Sequence, residues 1–314
     1  MTSSRKRPLR VGLLLPDTEG QLNGADPKWT DIRELALLAE QVGFDSIWVT
    51  DHFLNRPYMP TPEQALAATR GPWECWSLVA ALAAITRRVE IGTLVLCTGF
   101  RNPALLAKMA DTVEEISAGR LILGVGAGWN DPEYRAFGYP FDHRVVRFEE
   151  AIQIITTLLR TGKVDFDGTY SSALDCELRP RGPRLAGPPI LIGTTGEKML
   201  DMTARYADQW NAWFSNFNND VGDLKRLLTR VDAACAHVGR DPLTLARTAA
   251  VKIEVGPHNP STMSVAPVRG SAAEIADLLH EYAAAGISHV QIWPEPNTVS
   301  GVELFARILE ELDR

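Results

Sequence analysis

The sequence has few features of an extracellular, membrane-bound or zinc-binding protein. Its 314 residues include only four cysteines, and no Cys-x-x-Cys pair occurs among them. A disulfide framework and a zinc knuckle are therefore not indicated. No apolar run approaches the roughly 20 residues that a membrane-spanning helix needs, and the N-terminus lacks the apolar centre of a secretory signal. We therefore expect a cytoplasmic protein that does not bind membranes.

Runs of positive charge are also scarce, and the 39 Asp and Glu residues outnumber the 32 Lys and Arg residues. The formal net charge is -7, and the one basic run is Arg5-Lys6-Arg7 near the N-terminus. Because a nucleic-acid-binding surface usually shows as a basic face, we expect no nucleic-acid partner. The three basic residues are interpreted as a solvated terminal tail. The hydrophobic content of 45% is sufficient for one large α/β domain over residues 1–314.

Short apolar segments alternate with longer amphipathic segments along the chain. Strands are predicted over 10–16, 45–52, 89–97, 121–128, 189–194, 207–213, 250–255 and 289–293. Helices are predicted over 29–44, 73–86, 102–117, 147–162, 196–206, 219–238, 271–285 and 301–312. In the first helix, Thr30 is the expected N-cap and Gly43 suits the C-terminal end. Eight strand–helix units in strict order predict a parallel sheet closed into a (β/α)8 TIM barrel, with an open doubly wound sheet as the alternative.

The alternation is interrupted before the fifth strand. Residues 163–188 contain several glycines and prolines among polar residues, and Asp167-Gly168 is a turn signal. We therefore predict an insertion in the barrel at about 163–188, with a hairpin or an irregular excursion in it.

Glycine occupies every second position, 124, 126 and 128, at the end of the fourth predicted strand. A dinucleotide fingerprint has the spacing Gly-x-Gly-x-x-Gly and a helix directly after its last glycine. Here the third glycine comes too early, and Asn130, Asp131 and Pro132 predict a turn in place of the helix. The segment is therefore not a dinucleotide fingerprint.

In a (β/α)8 barrel the active site lies at the carboxyl ends of the strands. The residues that follow the predicted strands offer neither a set of metal ligands nor a nucleophile–base pair, and many are small or are tryptophan. They are Pro16, Asp17, Asp51, His52, Cys97, Thr98, Ala127, Gly128, Trp129, Asn130, Thr194, Thr195, Gly196, Asn211, Trp213, Glu254, Pro294 and Glu295. We therefore expect no metal site and a cofactor that supplies the chemistry.

Two stretches contain the candidate site residues. His52 follows the second strand, where a side chain with an ordinary pKa of about 6.5 is suited to proton transfer, although a structural histidine is the alternative. Its neighbour Asp51 points to the opposite side of the strand, so no direct Asp–His pair is assumed. The 193–196 turn, Gly-Thr-Thr-Gly, offers amides and hydroxyls to an anion at a helix start, with an ordinary β-to-α turn as the alternative.

Four longer blocks extend these observations to a known family. They are "GFDSIWVTDHF" (43–53), "IGTLVLCTGFRNPALLAKMADTVEEISAGRLILGVGAGW" (91–129), "FDHRVVRFEEAIQII" (141–155) and "PPILIGTTGEKMLDMTARYADQWN" (188–211). The chain resembles the bacterial luciferase-like superfamily, and within it the oxidoreductases that depend on the deazaflavin coenzyme F420. The resemblance implies a TIM barrel whose mouth holds the F420 ring, or FMN as the alternative cofactor, and it implies a homodimer.

The resemblance also implies roles for individual residues. His52 is the expected catalytic residue beside the ring. Thr93, Leu94 and Val95 correspond to a third-strand bulge that often has a non-proline cis peptide. The remaining expected cofactor-binding residues are Asp51 after the second strand, Ala127, Gly128 and Trp129 after the fourth strand, and Gly193, Thr194, Thr195 and Gly196 at the phosphate-binding turn. The alternate glycines would leave one face of the fourth strand bare, so that a planar ring could approach.

One position departs from the family pattern. Where sugar-phosphate dehydrogenases of the family have a glutamate, this chain has Trp129, and an indole cannot protonate a cofactor ring. Chemistry of the glucose-6-phosphate type is therefore not expected.

The predicted function is hydride transfer between F420 and a small organic substrate. Phe53, Trp129 and Trp213 are expected to shape an apolar substrate slot. An FMN-dependent monooxygenase and a non-catalytic flavin-binding homologue are the alternatives, and a metal-dependent hydrolase ranks last because metal ligands are few.

Overall fold

A computed structural model describes residues 7–55, 61–256 and 265–314 of the chain. The strands are β1 Arg10–Leu14, β2 Ser46–Val49, β3 Glu90–Thr93, β4 Leu96–Cys97, β5 Leu121–Gly126, β6 Lys163–Asp167, β7 Ser172–Glu177, β8 Ile190–Gly193, β9 Gln209–Ala212, β10 Ala246–Glu254 and β11 His289–Glu295. The helices are α1 Trp29–Val42, α2 Pro62–Ala67, α3 Cys75–Ile85, α4 Pro103–Ser117, α5 Asp131–Phe137, α6 Arg144–Thr161, α7 Glu197–Tyr206, α8 Val221–His237, α9 Ala272–Ala284 and α10 Val299–Leu312.

Eight parallel strands form a closed barrel in the order β1, β2, β3, β5, β8, β9, β10, β11. β11 pairs with β1, and the pairing of β3 with β5 at Ile91 and Leu121 completes the ring. The predicted (β/α)8 barrel is therefore confirmed, and the open sheet is wrong. The short strand β4 extends β3 past a bulge and pairs with the upper end of β5.

Eight of the helices alternate with the barrel strands as predicted, whereas α2 and α5 were not predicted. Gly43 ends α1 with a φ of 107°, and its N–H donates to Ala39 O, as expected for a left-handed glycine cap. Thr30 is not the N-cap, because the helix already begins at Trp29 and Lys28 occupies the cap position.

The predicted insertion before the fifth barrel strand is a β-hairpin. β6 and β7 run antiparallel, and the loop between them begins at Gly168, whose N–H donates to Ser171 O over 3.0 Å. The Glu150 carboxylate accepts hydrogen bonds from the backbone N–H groups of residues 169, 170 and 171, so helix α6 supports the tip of the hairpin.

The lower half of the barrel interior is filled around Trp48 on β2. A Cβ at Gly12 would lie 2.2 Å from Ser46 Oγ, and one at Gly92 would lie 2.2 Å from the Trp48 ring, so glycines on β1 and β3 make room for the indole. Trp48 Nε1 donates to Ser46 Oγ over 2.7 Å, and Ser46 Oγ lies 2.7 Å from His289 Nε2. Complete burial holds the pKa of His289 well below its ordinary value, so this ring is neutral.

The N-terminal basic run is not wholly a solvated tail. Arg5 and Lys6 lie outside the described residues. Arg7, however, has a side chain that is only 4% exposed, and it forms ion pairs with Asp45 at 3.3 Å and Asp313 at 2.8 Å. The tail interpretation is therefore wrong for Arg7, which joins the first and last parts of the barrel at the amino ends of the strands.

Within the part of the chain that the structure describes, no helix combines the length and the apolar character needed to cross a membrane.

Candidate active site at the barrel mouth

The mouth of the barrel is open at the carboxyl ends of the strands. The inward-facing residues at this level are half-buried: Val95, Gly193, Trp213 and Trp293. Those one layer below are 2% exposed or less and fill the interior: Ile122, Leu191 and Ala250. The mouth is therefore a depression with a packed floor, as an active site on this fold requires.

One rim of the depression is the bulge between β3 and β4. The peptide bond between Leu94 and Val95 is cis, which agrees with the non-proline cis peptide expected there. The Val95 side chain projects over two neighbouring strands: a Cβ at Gly126 would lie 2.9 Å from Val95 Cγ2, and one at Gly193 would lie 3.3 Å from Val95 Cγ1. Val95 fits because these two neighbouring positions are glycine.

Thr93 attaches the base of the bulge to β5. Its hydroxyl donates to Gly124 O over 2.7 Å and accepts from Gly124 N over 2.9 Å. A Cβ at position 124 would lie only 1.9 Å from Thr93 O, so any larger residue would push the two strands apart. Thr93 is fully buried, and its side chain supports the bulge from behind.

The alternate glycines of β5 therefore have a different purpose from the expected one. Gly124 and Gly126 face the Thr93–Val95 backbone and the Val95 side chain, so this face of the strand is covered by the bulge and is not bare. Gly128 has a φ of 72°, and a Cβ there would lie 2.2 Å from Tyr134 Oη. The expectation of an uncovered strand face is wrong.

His52 is held by a residue that the sequence did not identify. Its Nδ1 lies 2.9 Å from Oε1 of Glu133, a carboxylate on α5 that is 2% exposed. The other oxygen of Glu133 accepts hydrogen bonds from the backbone N–H groups of Phe53 at 2.9 Å and Leu54 at 3.3 Å. Glu133 therefore holds both the imidazole ring and the backbone segment that follows it.

Helix α5 was missed because Asn130, Asp131 and Pro132 were interpreted as a turn. A signal was nevertheless present, since proline in the first turn preceded by an acidic residue is typical of a helix start. The helix places Glu133, in its first turn, directly beside His52.

Two opposing effects act on the pKa of His52. Burial of the ring lowers it, whereas the hydrogen bond to Glu133 and the negative charges of Glu133, Asp51 and Asp17 raise it. The net effect is a pKa above the ordinary value of about 6.5. His52 therefore has a larger protonated fraction near neutral pH than a free histidine does.

Asp51 and Asp17 support the mouth from within the protein. Arg101 binds both oxygens of Asp51 at 2.6 and 2.9 Å, and the N–H of Cys97 donates to Asp51 Oδ2 over 2.8 Å. Asp17 accepts from the N–H and the hydroxyl of Thr50, both at 2.7 Å, and burial raises its pKa. Asp51 forms no direct hydrogen bond with His52 in the described residues, as the strand geometry predicted. Its role in cofactor binding stays a prediction.

Aromatic side chains surround the histidine. Trp129 is 55% exposed, and its ring meets the His52 ring edge-on with centroids 5.6 Å apart. The ring centroid of Phe53 lies 4.5 Å from those of both Phe100 and Phe137, so Phe53 belongs to an aromatic cluster beside the mouth. Across the barrel, the ring centroids of Trp213 and Trp293 are 5.9 Å apart. Apolar rings thus line opposite sides of the depression.

The carbonyl groups at the end of β5 are engaged by neighbouring side chains. Tyr134 Oη donates to Ala127 O over 2.9 Å, and Arg144 Nη1 donates to Gly128 O. These contacts orient the 127–129 segment so that Trp129 stands at the rim.

The 193–196 turn leads directly into α7. Gly196 is the N-cap residue and provides no side-chain cap, and a Cβ at this position would meet nothing within 4 Å. The carbonyls of Thr194 and Thr195 accept from Trp210 Nε1 and Arg230 Nη2, each over 2.8 Å. The turn is also held through its amides, since Thr194 N–H donates to Asn211 O and Gly196 N–H donates to Thr194 Oγ1, each over 3.3 Å. The first amides of α7 have no partner within the helix, and they are the groups that would stabilise an anion.

A second depression, about 530 Å³ in volume, lies between the hairpin β6–β7 and the last turns of α6 and α7. Its lining includes Thr157, Phe166, Cys176 and Tyr206, and it holds none of the residues that follow barrel strands. The chemistry-bearing side chains are at the mouth, so the mouth is the better candidate for the active site.

Comparison with known proteins places this arrangement in context. A family model described as luciferase-like monooxygenase matches residues 9–261. The F420-dependent glucose-6-phosphate dehydrogenase of Amycolatopsis mediterranei is 37% identical over 185 residues, which cover 57% of this chain and 51% of that protein. The chain spans about half the length of the first curated relatives that it matches.

Solved structures share the fold over almost the whole chain. An F420-dependent secondary alcohol dehydrogenase in complex with an F420–acetone adduct superposes with a TM-score of 0.77 at 20% identity, covering 97% of this chain and 99% of that one. The riboflavin lyase RcaE, with a modified FMN and riboflavin, gives a TM-score of 0.78 at 15% identity, covering 96% and 91%. At these identities the superpositions establish the fold.

Proposed function

The chain belongs to the luciferase-like monooxygenase family, and we propose that it is an F420-dependent oxidoreductase that transfers a hydride between the deazaflavin ring and a small organic substrate. The observation that carries the proposal is the open mouth, in which aromatic side chains surround one histidine held by a buried carboxylate. Among the residues described, no group of three His, Cys, Asp or Glu side chains could hold a metal ion. Such a site supports cofactor chemistry better than metal-assisted hydrolysis.

The residues present fit an anionic cofactor with a flat ring. Val95, Ala127, Gly128 and Gly193 would hold the ring at the rim of the packed floor. The amides that follow Gly196, together with Thr194 and Thr195, would hold the phosphate of the tail, because an uncapped helix start favours negative charge. The cofactor would supply the carbon that gives or takes the hydride.

His52 and Trp129 would act on the substrate. As the hydride moves, the His52 ring would give a proton to the substrate oxygen or take one from it. Trp129 lies edge-on to this ring and would exclude water from it. Because position 129 is an indole and not a carboxylate, we propose that the substrate is a small organic carbonyl or alcohol and not a sugar phosphate.

The proposal is tested by titrating the purified protein with F420 and, separately, with FMN, and by following the fluorescence of each cofactor. Micromolar binding of F420, followed by oxidation of reduced F420 with a carbonyl panel, is the expected result. Failure to bind either cofactor would exclude both an F420-dependent and an FMN-dependent enzyme.

An FMN-dependent monooxygenase is the second candidate, and the matching family model, described as luciferase-like monooxygenase, favours it. Oxygen uptake coupled to product formation with reduced FMN would identify this activity. Tight cofactor binding without turnover on either panel would indicate a non-catalytic flavin-binding homologue.

We also propose that the protein acts as a cytoplasmic homodimer on a small-molecule substrate, without a nucleic-acid or membrane partner. Sedimentation equilibrium of the purified chain measures the oligomeric state, and a monomer at micromolar concentration would contradict the dimer.

A further inference from the structure

Glu133 is a buried carboxylate that contacts three groups of the protein. Hydride transfer by itself does not require these contacts. The partners of Glu133 in the described residues are His52 Nδ1 on one oxygen and the N–H groups of Phe53 and Leu54 on the other. All three groups belong to one short segment after β2. A carboxylate accepts hydrogen bonds and does not donate them, so each partner must present a hydrogen to it.

This requirement determines which nitrogen of His52 has the proton. Two backbone N–H groups are fixed donors to Oε2, and His52 Nδ1 must then donate to Oε1. In the neutral ring only one nitrogen is protonated, so Nε2 has a lone pair. Nε2 forms no hydrogen bond with any residue that the structure describes, and the ring is 24% exposed at the mouth beside Trp129.

The segments that present this pair are attached to each other at a second point. Asn130, which is fully buried, precedes α5, and its Nδ2 donates to Leu54 O over 2.7 Å. Glu133 accepts from the backbone N–H of Leu54 and Asn130 donates to its C=O, so both polar backbone groups of Leu54 are attached to the start of α5. The distance between Glu133 and His52 is therefore set by the scaffold and does not depend on a mobile side chain.

We propose that Glu133 is a positioning residue that holds His52 in the tautomer with its proton on Nδ1, so that Nε2 faces the mouth as the atom that accepts and returns a proton. The catalytic part of this inference rests on the proposed function, whereas the tautomer does not. A residue of this kind acts through the imidazole and need not touch the substrate.

The charges that face His52 agree with this role. Glu133 on α5, Asp51 on the same segment and Asp17 after β1 are all acidic, and Arg101 offsets part of the charge of Asp51 by binding both its oxygens. The acidic groups raise the pKa of His52 above its ordinary value, so they favour the protonated ring.

The test uses glutamine at position 133, which keeps the shape and reverses one hydrogen bond. In Glu133→Gln the amide oxygen would still accept from Phe53 N and Leu54 N, and the amide NH₂ would then face His52 Nδ1 and donate to it. Neutral His52 would therefore change to the tautomer with its proton on Nε2, and its pKa would fall because a negative charge is lost.

Nuclear magnetic resonance of ¹⁵N-histidine-labelled protein without cofactor measures both quantities. His52→Asn identifies the signal among the six histidines. The expected result is a proton on Nδ1 in the wild type and on Nε2 in Glu133→Gln. A neutral His52 protonated on Nε2 in the wild type would overturn the inference without reference to any variant, and so would an unchanged tautomer in a folded Glu133→Gln protein.

Asp131→Asn is the matched control, because it removes one negative charge from the same first turn of α5. Asp131 forms an ion pair with Arg135 and does not contact His52. This variant is expected to leave the tautomer of His52 unchanged. If it changed the tautomer as Glu133→Gln does, the effect would come from the charge of the helix start, and the inference would be wrong.

Activity forms a separate arm of the test. With the F420-dependent reaction, Glu133→Gln is expected to lower kcat about 100-fold or more with little change in KM, because a wrong tautomer removes general acid–base catalysis. An unchanged kcat and pH profile would overturn the positioning role. If no cofactor supports turnover in the wild type, the proposed function fails, while the resonance measurement still decides the tautomer.

Discussion

At the residue scale, the shape of the mouth depends on the absence of side chains at three positions. Gly124, Gly126 and Gly193 surround the bulge, and Val95 occupies the space that their Cβ atoms would otherwise fill. The bulge in turn forms the rim next to His52. Packing at this density tolerates little added volume, so the bulge requires glycine at these three positions of the neighbouring strands.

Gly124→Ala is expected to destabilise the protein by about 1 to 3 kcal/mol or more, because the new methyl group would lie 1.9 Å from Thr93 O, a backbone atom that cannot rotate away. Denaturant unfolding followed by circular dichroism measures the loss. Gly71→Ala is the control, since its Cβ would make only an ordinary contact of 3.5 Å with Glu19. Equal stability of the two variants would show that β5 moves away from the bulge at little cost.

The pairing of His52 with Glu133 predicts a pH dependence of stability. The pKa of His52 is raised on folding, so the folded state binds the proton more tightly than the unfolded state does. The resulting stabilisation is fully present below the unfolded pKa of about 6.5 and is lost as the pH rises through the folded pKa.

The measurement compares the free energy of unfolding of the wild type and His52→Gln across this pH range. The difference between the two proteins is expected to shrink as the pH rises. A difference that grew with pH would mean that burial dominates and that the pKa of His52 is lowered.

At the scale of elements, two helix starts support different parts of the candidate site. Helix α5 places Glu133 under His52, and helix α7 begins at the 193–196 turn with no side-chain cap. Arg230 and Trp210 bind the carbonyls of this turn. The amides of Thr194 and Gly196 donate to Asn211 O and Thr194 Oγ1, so the first amides of α7 are the donors left for a phosphate. The proposed phosphate position therefore depends on backbone groups and on the partial positive charge of α7.

Thr195→Asp tests this position, because a carboxylate beside the start of α7 would compete with the phosphate for the same amides. The expected result is at least about tenfold weaker binding of F420, which corresponds to about 1.4 kcal/mol. Thr195→Asn is the matched control of the same size without charge. Equal binding by the two variants, measured by fluorescence titration, would place the cofactor tail elsewhere.

At the scale of the whole molecule, the barrel has a packed lower half and an open upper half. Trp48 fills the lower interior between Gly12 and Gly92, and its indole N–H belongs to a buried hydrogen-bond chain with Ser46 and His289. The mouth has a floor only because this layer is closed. Stability and site geometry are therefore linked through the interior packing.

Trp48→Ala is expected to cost about 3 to 5 kcal/mol, because it opens a cavity that the surrounding strands cannot close. Trp48→Phe retains most of the ring and loses the hydrogen bond to Ser46, so it should cost less. Thermal and denaturant unfolding of both variants check the order. A smaller loss for alanine than for phenylalanine would show that the surrounding strands close the cavity at little cost.

Much of the fold was determined by local pattern. Eight apolar strands alternate with amphipathic helices, and this order by itself indicates a closed parallel barrel whose mouth collects the residues after each strand. For the same reason His52, Trp129 and the 193–196 turn were predicted to lie at one end, whereas the place of Val95 was implied by the family resemblance. Parallel strands place their carboxyl ends together whatever the contacts between their side chains.

Contacts between distant segments were decided only by the tertiary structure. Glu133 is 81 residues from His52, and Arg7 is 306 residues from Asp313, so no local periodicity relates these pairs. The alternate glycines of β5 were visible in the sequence, but what fills the space beside them is a bulge that comes 31 residues earlier. Closing the barrel brings such groups together, because the register of the strands and the start of each helix determine which side chains meet.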